Sequence, residues 1–349
     1  MGERMKAYRI MTERGPGQWS EAEVPHAGPG EVVLQTAAAG LCRTDLELMD
    51  HGAQYSHWIG PFTVGHETAG HVVEVGEQVS SLAVGDAVLV HSNSSCGRCR
   101  NCIAGRDAFC LSRPPNYGYA DNGGLAPFMK ARQRDVLPLG GLDPRLAAPL
   151  ADAGATAYGA LLDVRPHLRD DGYVAVIGVG GVGSIAVQLL RLLTGSQIIA
   201  IDRAERLESA LAAGAHHGVV SSEATSAEIK ELTRGRGVDA TIDIVGADDT
   251  LRCAAAITAV LGAISVVGLS GGTFAYRFLS QRVGVRLFTS TTCSLGELAR
   301  LIAVTERGGL SIRHQTLAFD DVEHGYDALR QGRIDGRAVI DFSLSGSTG

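Results

Sequence analysis

Four of the chain's seven cysteines stand close together, with the spacing C-x2-C-x2-C-x7-C, at Cys96, Cys99, Cys102 and Cys110. Thiol groups at this density have four chemical uses: disulfide bonds, a redox-active pair, an iron–sulfur cluster or a bound metal ion. The residues around the cysteines help to choose among these uses.

The context of the cysteines favours a metal ion. The first residues, MGERMKAYRIMTERG, lack the apolar segment of a signal peptide. We therefore expect the protein to lie in the cytoplasm, which is reducing and in which disulfides are rare. No strand–CxxC–helix pattern is present, and Cys110 follows Cys102 after seven residues and precedes Leu111, unlike the iron–sulfur spacing. Four thiolates complete a tetrahedron and leave no position for substrate. The sequence therefore predicts a structural zinc lobe at about residues 94–112.

A glycine-rich turn supplies the second chemical signal. The segment GYVAVIGVGGVG is typical of a buried strand that ends in a tight turn, and SIAVQLLRLL continues as a helix. In this context Gly178 permits the turn, Gly180 lets the backbone approach a pyrophosphate, and Gly183 lets the helix pack on the strand. Together with Gly181 and Val182, these residues predict a dinucleotide site at the N-terminus of the helix.

A carboxylate after the next predicted strand indicates which dinucleotide binds. Asp202 ends the segment QIIAID, nineteen residues after Gly183. A carboxylate at this point binds ribose hydroxyls of NAD and repels the 2′-phosphate of NADP, whereas the adjacent Arg203 is able to pair with that phosphate. We predict NAD(H) as the cofactor, with NADP as the less favoured alternative.

The elements that position these residues are of two kinds. At 349 residues the chain is longer than one core usually covers, which favours two domains. Residues up to about 150 form short predicted strands broken by glycines, whereas strands and helices alternate from about 172. This alternation predicts a doubly wound parallel sheet. Two helices and a last strand follow from about residue 293. The predicted fold class is α/β.

Charge and hydropathy exclude two kinds of partner. The net charge is −7, the pI is about 5.9 and no basic block stands out, so we expect no binding to nucleic acid. No run of eighteen apolar residues exists, so we expect no membrane span. A small molecule is the expected partner.

Cys42 and His66 are candidate ligands for a second metal ion, because zinc prefers thiolate and imidazole groups. Each has a plain structural alternative, since a single cysteine is most often a small buried hydrophobe and a single histidine most often a satisfied core group. Neither residue identifies a site without its neighbours.

The neighbours of His66 resemble the signature of a known family. The chain reads Gly65-His66-Glu67-x-x-Gly70, followed by Gly76 and Val79. Together with the four-cysteine spacing and the GVGGVG turn, this string resembles the zinc-containing alcohol dehydrogenases of the medium-chain dehydrogenase/reductase superfamily. The resemblance covers nearly the whole chain. It implies a GroES-like β-rich catalytic domain at 1–153 and 294–349, interrupted by a Rossmann NAD-binding domain at 154–293.

The resemblance assigns roles around a catalytic zinc. Cys42, His66 and Asp152 would be its ligands, and many members have a cysteine where this chain has Asp152. Glu67 would sit behind the zinc or bind it transiently. Asp45 would hold the His66 ring as an acceptor and fix its tautomer. Two zinc ions per chain, one catalytic and one structural, are therefore expected.

The resemblance makes Thr44 the hydroxyl that relays the substrate proton. The alternative is a helix cap, because Thr44-x-x-Glu47 is also a capping box. In many members a histidine stands where this chain has Glu47, so the relay would end in water or use His51. We expect His51 to be at most an accessory.

The resemblance also implies contacts for the cofactor and the substrate. Thr156, Val267 and Gly268 match positions near the nicotinamide, and Arg337 matches a contact to the cofactor phosphate. Three aromatic residues are candidate walls of an apolar substrate pocket, with ordinary core packing as the alternative: Tyr55, Trp58 and Tyr119.

The implied function is a zinc-dependent oxidoreductase that interconverts an alcohol and an aldehyde or ketone with NAD(H). The alternatives on the same scaffold are a polyol, amino-alcohol or formaldehyde-adduct dehydrogenase and a zinc-independent quinone or enone reductase. A non-catalytic NAD-binding protein is the alternative from another class. The short connection from Cys110 to Asp152 resembles tetrameric microbial members, so a homotetramer is expected, with a dimer as the alternative.

Overall fold

Strands dominate the first half of the chain, and alternating strands and helices dominate the second. The computed structural model describes residues 2–52 and 58–344, and these separate into two units. The first unit contains residues up to Asp152, 294–308 and the residues from Ile312 onwards. The second contains Ala153–Cys293 and Gly309–Ser311.

The unit limits differ slightly from the domain limits expected from the sequence. Ala153 belongs to the second unit because it is the first residue of a helix of that unit. The short segment 309–311 also belongs there, and the Ser311 amide donates to the Gln188 side chain at 3.0 Å.

The first unit contains ten strands and five helices among the described residues. These are β1 (Arg4–Ile10), β2 (Gln18–Glu23), β3 (Glu31–Leu41), α1 (Arg43–His51), β4 (Phe62–Thr63), β5 (Glu67–Val75), β6 (Ala87–Val90), α2 (Arg100–Ile103), β7 (Phe128–Arg132), β8 (Val136–Pro138), α3 (Pro144–Ala147), α9 (Leu295–Glu306), β15 (His314–Ala318), α10 (Val322–Arg330) and β16 (Arg337–Asp341).

Two sheets organise this unit. Strands β2, β1 and β4 form a three-stranded antiparallel sheet. A seven-stranded sheet has the order β15-β16-β3-β5-β6-β8, and β7 also pairs with β3. The long strand β3 is almost wholly buried because it lies between β16 and β5. Its end, at Leu41, and the start of β5, at Glu67, are the two points from which the site is built.

The second unit alternates helices and strands. These are α4 (Ala153–Val164), β9 (Tyr173–Ile177), α5 (Gly181–Leu193), β10 (Gln197–Asp202), α6 (Ala204–Ala212), β11 (His217–Val220), α7 (Thr225–Leu232), β12 (Val238–Asp243), α8 (Asp248–Ile257), β13 (Thr258–Val266) and β14 (Arg286–Thr289).

One parallel sheet runs through the second unit, in the order β11-β10-β9-β12-β13-β14. Counted from β9, this is the strand order 3-2-1-4-5-6 of doubly wound nucleotide-binding folds. The central strands β9 and β12 are buried on both faces, and β9 has the continuous apolar sequence that such burial favours. Strand β12 instead places Asp239, Thr241 and Asp243 at buried positions. The α/β fold class predicted from the sequence is confirmed. Strand β14 was not predicted, because it is a short edge strand whose residues are largely exposed.

No helix within residues 2–52 and 58–344 has the length and apolar character needed to cross a membrane.

Candidate active site

The end of β3 and helix α1 place the first group of the site. Cys42 directly precedes α1 in an extended conformation (φ −116°, ψ 151°), and its backbone amide donates to Asp45 Oδ2 at 3.0 Å. The Asp45 carboxylate therefore caps the helix and fixes the chain at Cys42. Thr44 lies inside the first turn, so the alternative in which it caps the helix with Glu47 is wrong. Its Oγ1 lies 3.5 Å from the Cys42 thiol.

His66 stands directly before β5, in a turn that only glycine allows. Gly65 has φ +99°, and a Cβ atom on it would meet Leu125 at 2.8 Å. His66 is 1% exposed, and its Nδ1 lies 2.9 Å from Asp45 Oδ1. The ring also stacks on Tyr119, with centroids 4.4 Å apart. One face and one nitrogen of the ring are thus held, and Nε2 points towards Asp152.

Asp152 completes the arrangement from a residue far along the chain. Its Oδ2 lies 3.4 Å from Cys42 Sγ and 3.5 Å from His66 Nε2. Zinc–ligand bonds of about 2.0–2.3 Å in a tetrahedron require ligand atoms about 3.3–3.8 Å apart, and these distances match. Nε2 is buried, and no hydrogen bond of ordinary geometry within the described residues competes with a metal ion for its lone pair. The donor set therefore fits a zinc ion.

Glu67 lies behind these groups and has a buried cation as its partner. One ligand atom each from Cys42, His66, Glu67 and Asp152 lies within 4.8 Å of all the others. Glu67 forms an ion pair with Arg337, whose guanidinium also donates to the Leu41 carbonyl. Gly40 faces Glu67 across the β3–β5 pair, and any side chain there would overlap the carboxylate.

The electrostatics of the site favour a positive charge at its centre. Burial alone would raise the pKa of Asp152, but His66 and Arg337 outweigh burial and lower it to about 2. Burial alone would lower the pKa of His66, but Tyr119, Asp45 and Asp152 raise it well above its usual value. Burial raises the pKa of Glu67 to about 8 against the attraction of Arg337. A divalent cation bound between these groups would supply positive charge where the metal-free site favours a proton on His66.

The four clustered cysteines form a separate group. Their sulfur atoms lie within 4.8 Å of one another, with Cys99–Cys102 at 3.4 Å and Cys96–Cys102 at 4.0 Å. Four Zn–S bonds of about 2.3 Å require S–S distances of about 3.8 Å, so the lobe fits zinc. Backbone N–H groups of Leu111 and Cys102 lower the pKa of Cys99 to about 6, which favours the thiolate.

The glycine turn lies at the carboxyl end of β9. Gly178 has φ +85°, and a Cβ atom on Gly183 would meet the Gly178 carbonyl at 1.9 Å, so α5 packs tightly on the strand. A Cβ atom on Gly180 would meet nothing within 4 Å. The amides of Gly181, Val182 and Gly183 begin α5 and lack intrahelical acceptors. The turn therefore offers the space and the free amide donors that a pyrophosphate would need.

Asp202 ties the end of β10 to this turn. Its Oδ2 accepts from the Val179 amide at 2.6 Å, and its Oδ1 accepts from the Arg203 amide at 2.7 Å. The Arg203 side chain is exposed and lies 3.3 Å from Glu205. Val267 and Gly268 follow β13, at the same edge of the parallel sheet as the turn.

Comparison with known proteins decides the family. The model described as "Alcohol dehydrogenase GroES-like domain" matches residues 28–141, and the model described as "Zinc-binding dehydrogenase" matches residues 181–306. An NAD-dependent alcohol dehydrogenase of Sulfolobus acidocaldarius is 32% identical over 96% of this chain and 99% of its own length. The chain belongs to the zinc-containing alcohol dehydrogenase family.

Two further relatives of this alcohol dehydrogenase family member are an alcohol dehydrogenase of known structure and a sugar dehydrogenase. The crystal structure of an alcohol dehydrogenase from Aeropyrum pernix superimposes with a TM-score of 0.88 at 33% identity, covering 96% of this chain and 99% of the other. A D-arabinose 1-dehydrogenase (NADP(+)) of Saccharolobus solfataricus is 32% identical over 96% of this chain and 97% of its own length. The family and the oxidoreductase class predicted from the sequence are confirmed.

Four further predicted site residues keep their roles as predictions. Thr156, in α4, donates its hydroxyl to the Thr291 carbonyl at 2.9 Å. Arg337 is 6% exposed and pairs with Glu67, so its phosphate contact stays a prediction. Trp58 packs near Phe62, at 6.0 Å between ring centroids, and Tyr55 lies outside the described residues.

Sequence analysis missed two residues that position the site. Gly40 lies in a run of alanines and glycine, AAAG, that carries no distinct signal. Tyr326 lies on α10, and its hydroxyl donates to Asp45 Oδ2 at 2.9 Å. An amphipathic helix predicts a buried tyrosine at this position but not the contact that its hydroxyl makes.

Proposed function

We propose that the protein oxidises alcohols to aldehydes or ketones, and reduces them back, with NAD(H) and a catalytic zinc held by Cys42, His66 and Asp152. One observation carries this proposal. A buried thiol, a buried imidazole nitrogen and a carboxylate converge, with Asp152 Oδ2 at 3.4 Å from Cys42 Sγ and 3.5 Å from His66 Nε2. Three protein ligands in tetrahedral geometry leave one position for substrate, as catalytic zinc sites do.

The protein's own residues would bind and orient the reactants. A zinc ion held by these ligands would supply Lewis acidity that lowers the pKa of an alcohol hydroxyl, and a bound nicotinamide cofactor would supply the hydride chemistry. The Thr44 hydroxyl, beside Cys42, is placed to accept the substrate proton and pass it on. Further along the same face of α1, His51 Nε2 lies 3.4 Å from Glu47 Oε2, and this pair is partly exposed. The pair offers the proton a path to solvent.

The cofactor is proposed to be NAD rather than NADP. The support is Asp202, whose carboxylate closes the glycine turn where a 2′-phosphate would come close to it. One relative named above carries NADP(+) in its name, so the preference needs its own test. We expect Asp202→Asn to keep the acceptor for the Val179 amide while removing the charge. The substitution should therefore raise kcat/KM for NADP relative to NAD by at least about tenfold, because it removes the negative charge of Asp202 that would repel the 2′-phosphate. An unchanged ratio would count against this role.

The zinc count, the assembly and the location are part of the same proposal. Two zinc ions are proposed per chain, because both ligand groups have tetrahedral spacing. None of the seven cysteines forms a disulfide, which is compatible with a cytoplasmic protein. A homotetramer, with a dimer as the alternative, is proposed from the resemblance to short microbial members.

A second candidate substrate class has one observation in its favour. The relative named D-arabinose 1-dehydrogenase matches over 96% of this chain, so sugar and polyol hydroxyls belong in the substrate panel. The zinc-independent reductase is disfavoured because three ligand side chains are in place.

The decisive experiment joins activity to metal content. NADH formation would be followed with primary, secondary, aromatic, polyol and aldose substrates, before and after chelation and after zinc is restored. Cys42→Ser removes a proposed ligand, and Cys253→Ser removes a thiol of the second unit as a matched control. We expect turnover to require zinc, to be lost in Cys42→Ser and to survive in Cys253→Ser. Turnover that survives without metal supports the reductase alternative, and NADH binding without any turnover supports a binding protein.

A further inference from the structure

The Tyr326 hydroxyl makes a buried polar contact that the proposed reaction does not use. Tyr326 is 4% exposed, and its hydroxyl donates to Asp45 Oδ2 at 2.9 Å across 281 residues of sequence. Asp45 itself is fully buried. A buried carboxylate needs hydrogen-bond donors to offset its loss of hydration, and the Tyr326 hydroxyl is one of these donors.

Both oxygens of Asp45 are committed to neighbours of the metal site. Oδ1 lies 2.9 Å from His66 Nδ1. Oδ2 accepts from the Cys42 amide at 3.0 Å and from the Tyr326 hydroxyl. The carboxylate plane is therefore set from both sides, and its orientation sets the direction in which the imidazole presents Nε2.

We propose that Tyr326 is a positioning residue of the metal centre, which holds the Asp45 carboxylate so that His66 presents Nε2 to the metal. The inference rests on the metal site proposed above and adds a residue from the far end of the chain to it. Without the hydroxyl, Oδ2 keeps only the Cys42 amide as its donor. The carboxylate then gains rotational freedom, and the imidazole is held less firmly.

The ring of Tyr326 is held in place by its own surroundings. It stacks on Tyr8, with centroids 5.8 Å apart and planes at 26°. One turn further along α10, Arg330 forms two hydrogen bonds to Asp50 of α1, at 2.6 and 3.1 Å. The side chains of this Arg330–Asp50 pair are about half exposed, and exposed ion pairs contribute little to stability. The buried Tyr326–Asp45 contact is thus the one that acts on the site.

The test is a metal competition on full-length protein, with Tyr326→Phe compared with Tyr8→Phe. Both substitutions remove one phenolic hydroxyl from the same apolar core, but only Tyr326 reaches Asp45. Zinc release would be followed against increasing chelator, and Co(II) in place of zinc would report ligand geometry through its absorption. We expect Tyr326→Phe to bind zinc at the Cys42 site on the order of tenfold more weakly. The cysteine lobe should keep its affinity and serves as an internal reference.

The outcomes separate this inference from the function on which it rests. If the wild-type protein holds zinc only in the cysteine lobe, the proposed function fails. If the wild type holds both ions and Tyr326→Phe has the wild-type affinity and cobalt spectrum, only the role of Tyr326 fails. An equal loss of zinc affinity in Tyr8→Phe would also overturn the role of Tyr326. The weaker binding would then come from altered packing of the core and not from the contact with Asp45.

A coupling measurement tests whether Tyr326 acts on the metal site through Asp45. In Asp45→Ala the acceptor for the Tyr326 hydroxyl is absent, so adding Tyr326→Phe should weaken zinc binding no further. Fully additive losses would show that the two residues act independently and would contradict the inference.

Discussion

At the scale of single residues, Asp152 is the unusual member of the proposed ligand set, because many family members have cysteine at this position. A carboxylate is a harder ligand than a thiolate, and this would make the zinc a somewhat stronger Lewis acid. Its Oδ2 is 3.4 Å from the Cys42 thiol, a separation that two ligands of one zinc ion would have.

We expect Asp152→Ala to lose the metal of this site while the cysteine lobe keeps its own. Loss of a Lewis acid removes several kcal/mol of stabilisation from the transition state, so kcat/KM should fall by about 10²–10⁴. Asp152→Cys is the matched control, since a thiolate also binds zinc, and it should retain metal and part of the activity. Metal analysis and steady-state kinetics check both variants. Full metal retention in Asp152→Ala would remove Asp152 from the ligand set.

The buried pair of Glu67 and Arg337 gives a second prediction at this scale. Above pH 8, where the buried Glu67 carboxyl is ionised, Arg337→Met leaves it without its cation, which should lower the free energy of unfolding by about 3–5 kcal/mol. The double variant Glu67→Gln/Arg337→Met should recover much of this loss, because no charge is then left unpaired. Urea denaturation of the metal-free protein measures the free energy of unfolding of the single and the double variant. Equal stability of the single and double variants would show that the charge of Glu67 is not the cause.

At the scale of elements, helix α1 shows how one local structure serves several roles. Its start provides Cys42, its first turn provides Thr44 and Asp45, and its end provides His51. The sequence allows two caps, Thr44 with Glu47 or Cys42 with Asp45. The second forms because β3 holds the chain extended up to Leu41, so that Cys42 is the last extended residue before the helix.

The turn between β9 and α5 gives a prediction in which two glycines behave differently. A Cβ atom on Gly180 meets nothing within 4 Å, whereas one on Gly183 meets the Gly178 carbonyl at 1.9 Å. Gly180→Ala should therefore keep the stability of the wild type but weaken NADH binding, since the methyl group enters the pyrophosphate cradle. Gly183→Ala should lower the melting temperature.

The two measurements are a thermal melt of the protein without cofactor and an NADH titration by fluorescence. Gly180→Ala that binds NADH as the wild type does would contradict the position of the pyrophosphate. Gly183→Ala that melts as the wild type does would contradict the close packing of α5 on β9.

At the scale of the whole molecule, the cysteine lobe is a segment with little regular structure that hydrogen bonds join to the rest of the first unit. The Asp107 carboxylate accepts from the Leu295 amide at the start of α9, at 3.0 Å. Arg113 donates to the Ser94 and Ala108 carbonyls from within the lobe region. Its helices are single turns, so a metal ion is what would keep it ordered.

We expect Cys102→Ser to lose one zinc per chain and to melt several degrees lower, since about 1 kcal/mol corresponds to about 2–4 °C in a domain of this size. The zinc at Cys42 should remain, and Cys253→Ser is again the matched control. Metal analysis and calorimetry check the result. A melting temperature equal to that of the control would indicate that the lobe contributes nothing to stability.

Much of this protein is determined by the sequence alone, because it depends on local patterns. The alternation of strands and helices, the glycine turn, the cysteine spacing and the string around His66 each lie within a few tens of residues, and they sufficed for the fold class and the family. Short edge elements such as β14 carry too few residues for a pattern, so they escaped prediction.

Only the tertiary structure decided how the site is held. The contacts of Cys42 with Asp152, of Glu67 with Arg337 and of Asp45 with Tyr326 join residues 110, 270 and 281 positions apart. No local pattern encodes such pairs, because each depends on which strands and helices become neighbours when β3, β5, β16 and α10 pack together. The resemblance named most of these residues, but the cation of Glu67 and the donor to Asp45 became visible only in the packed molecule.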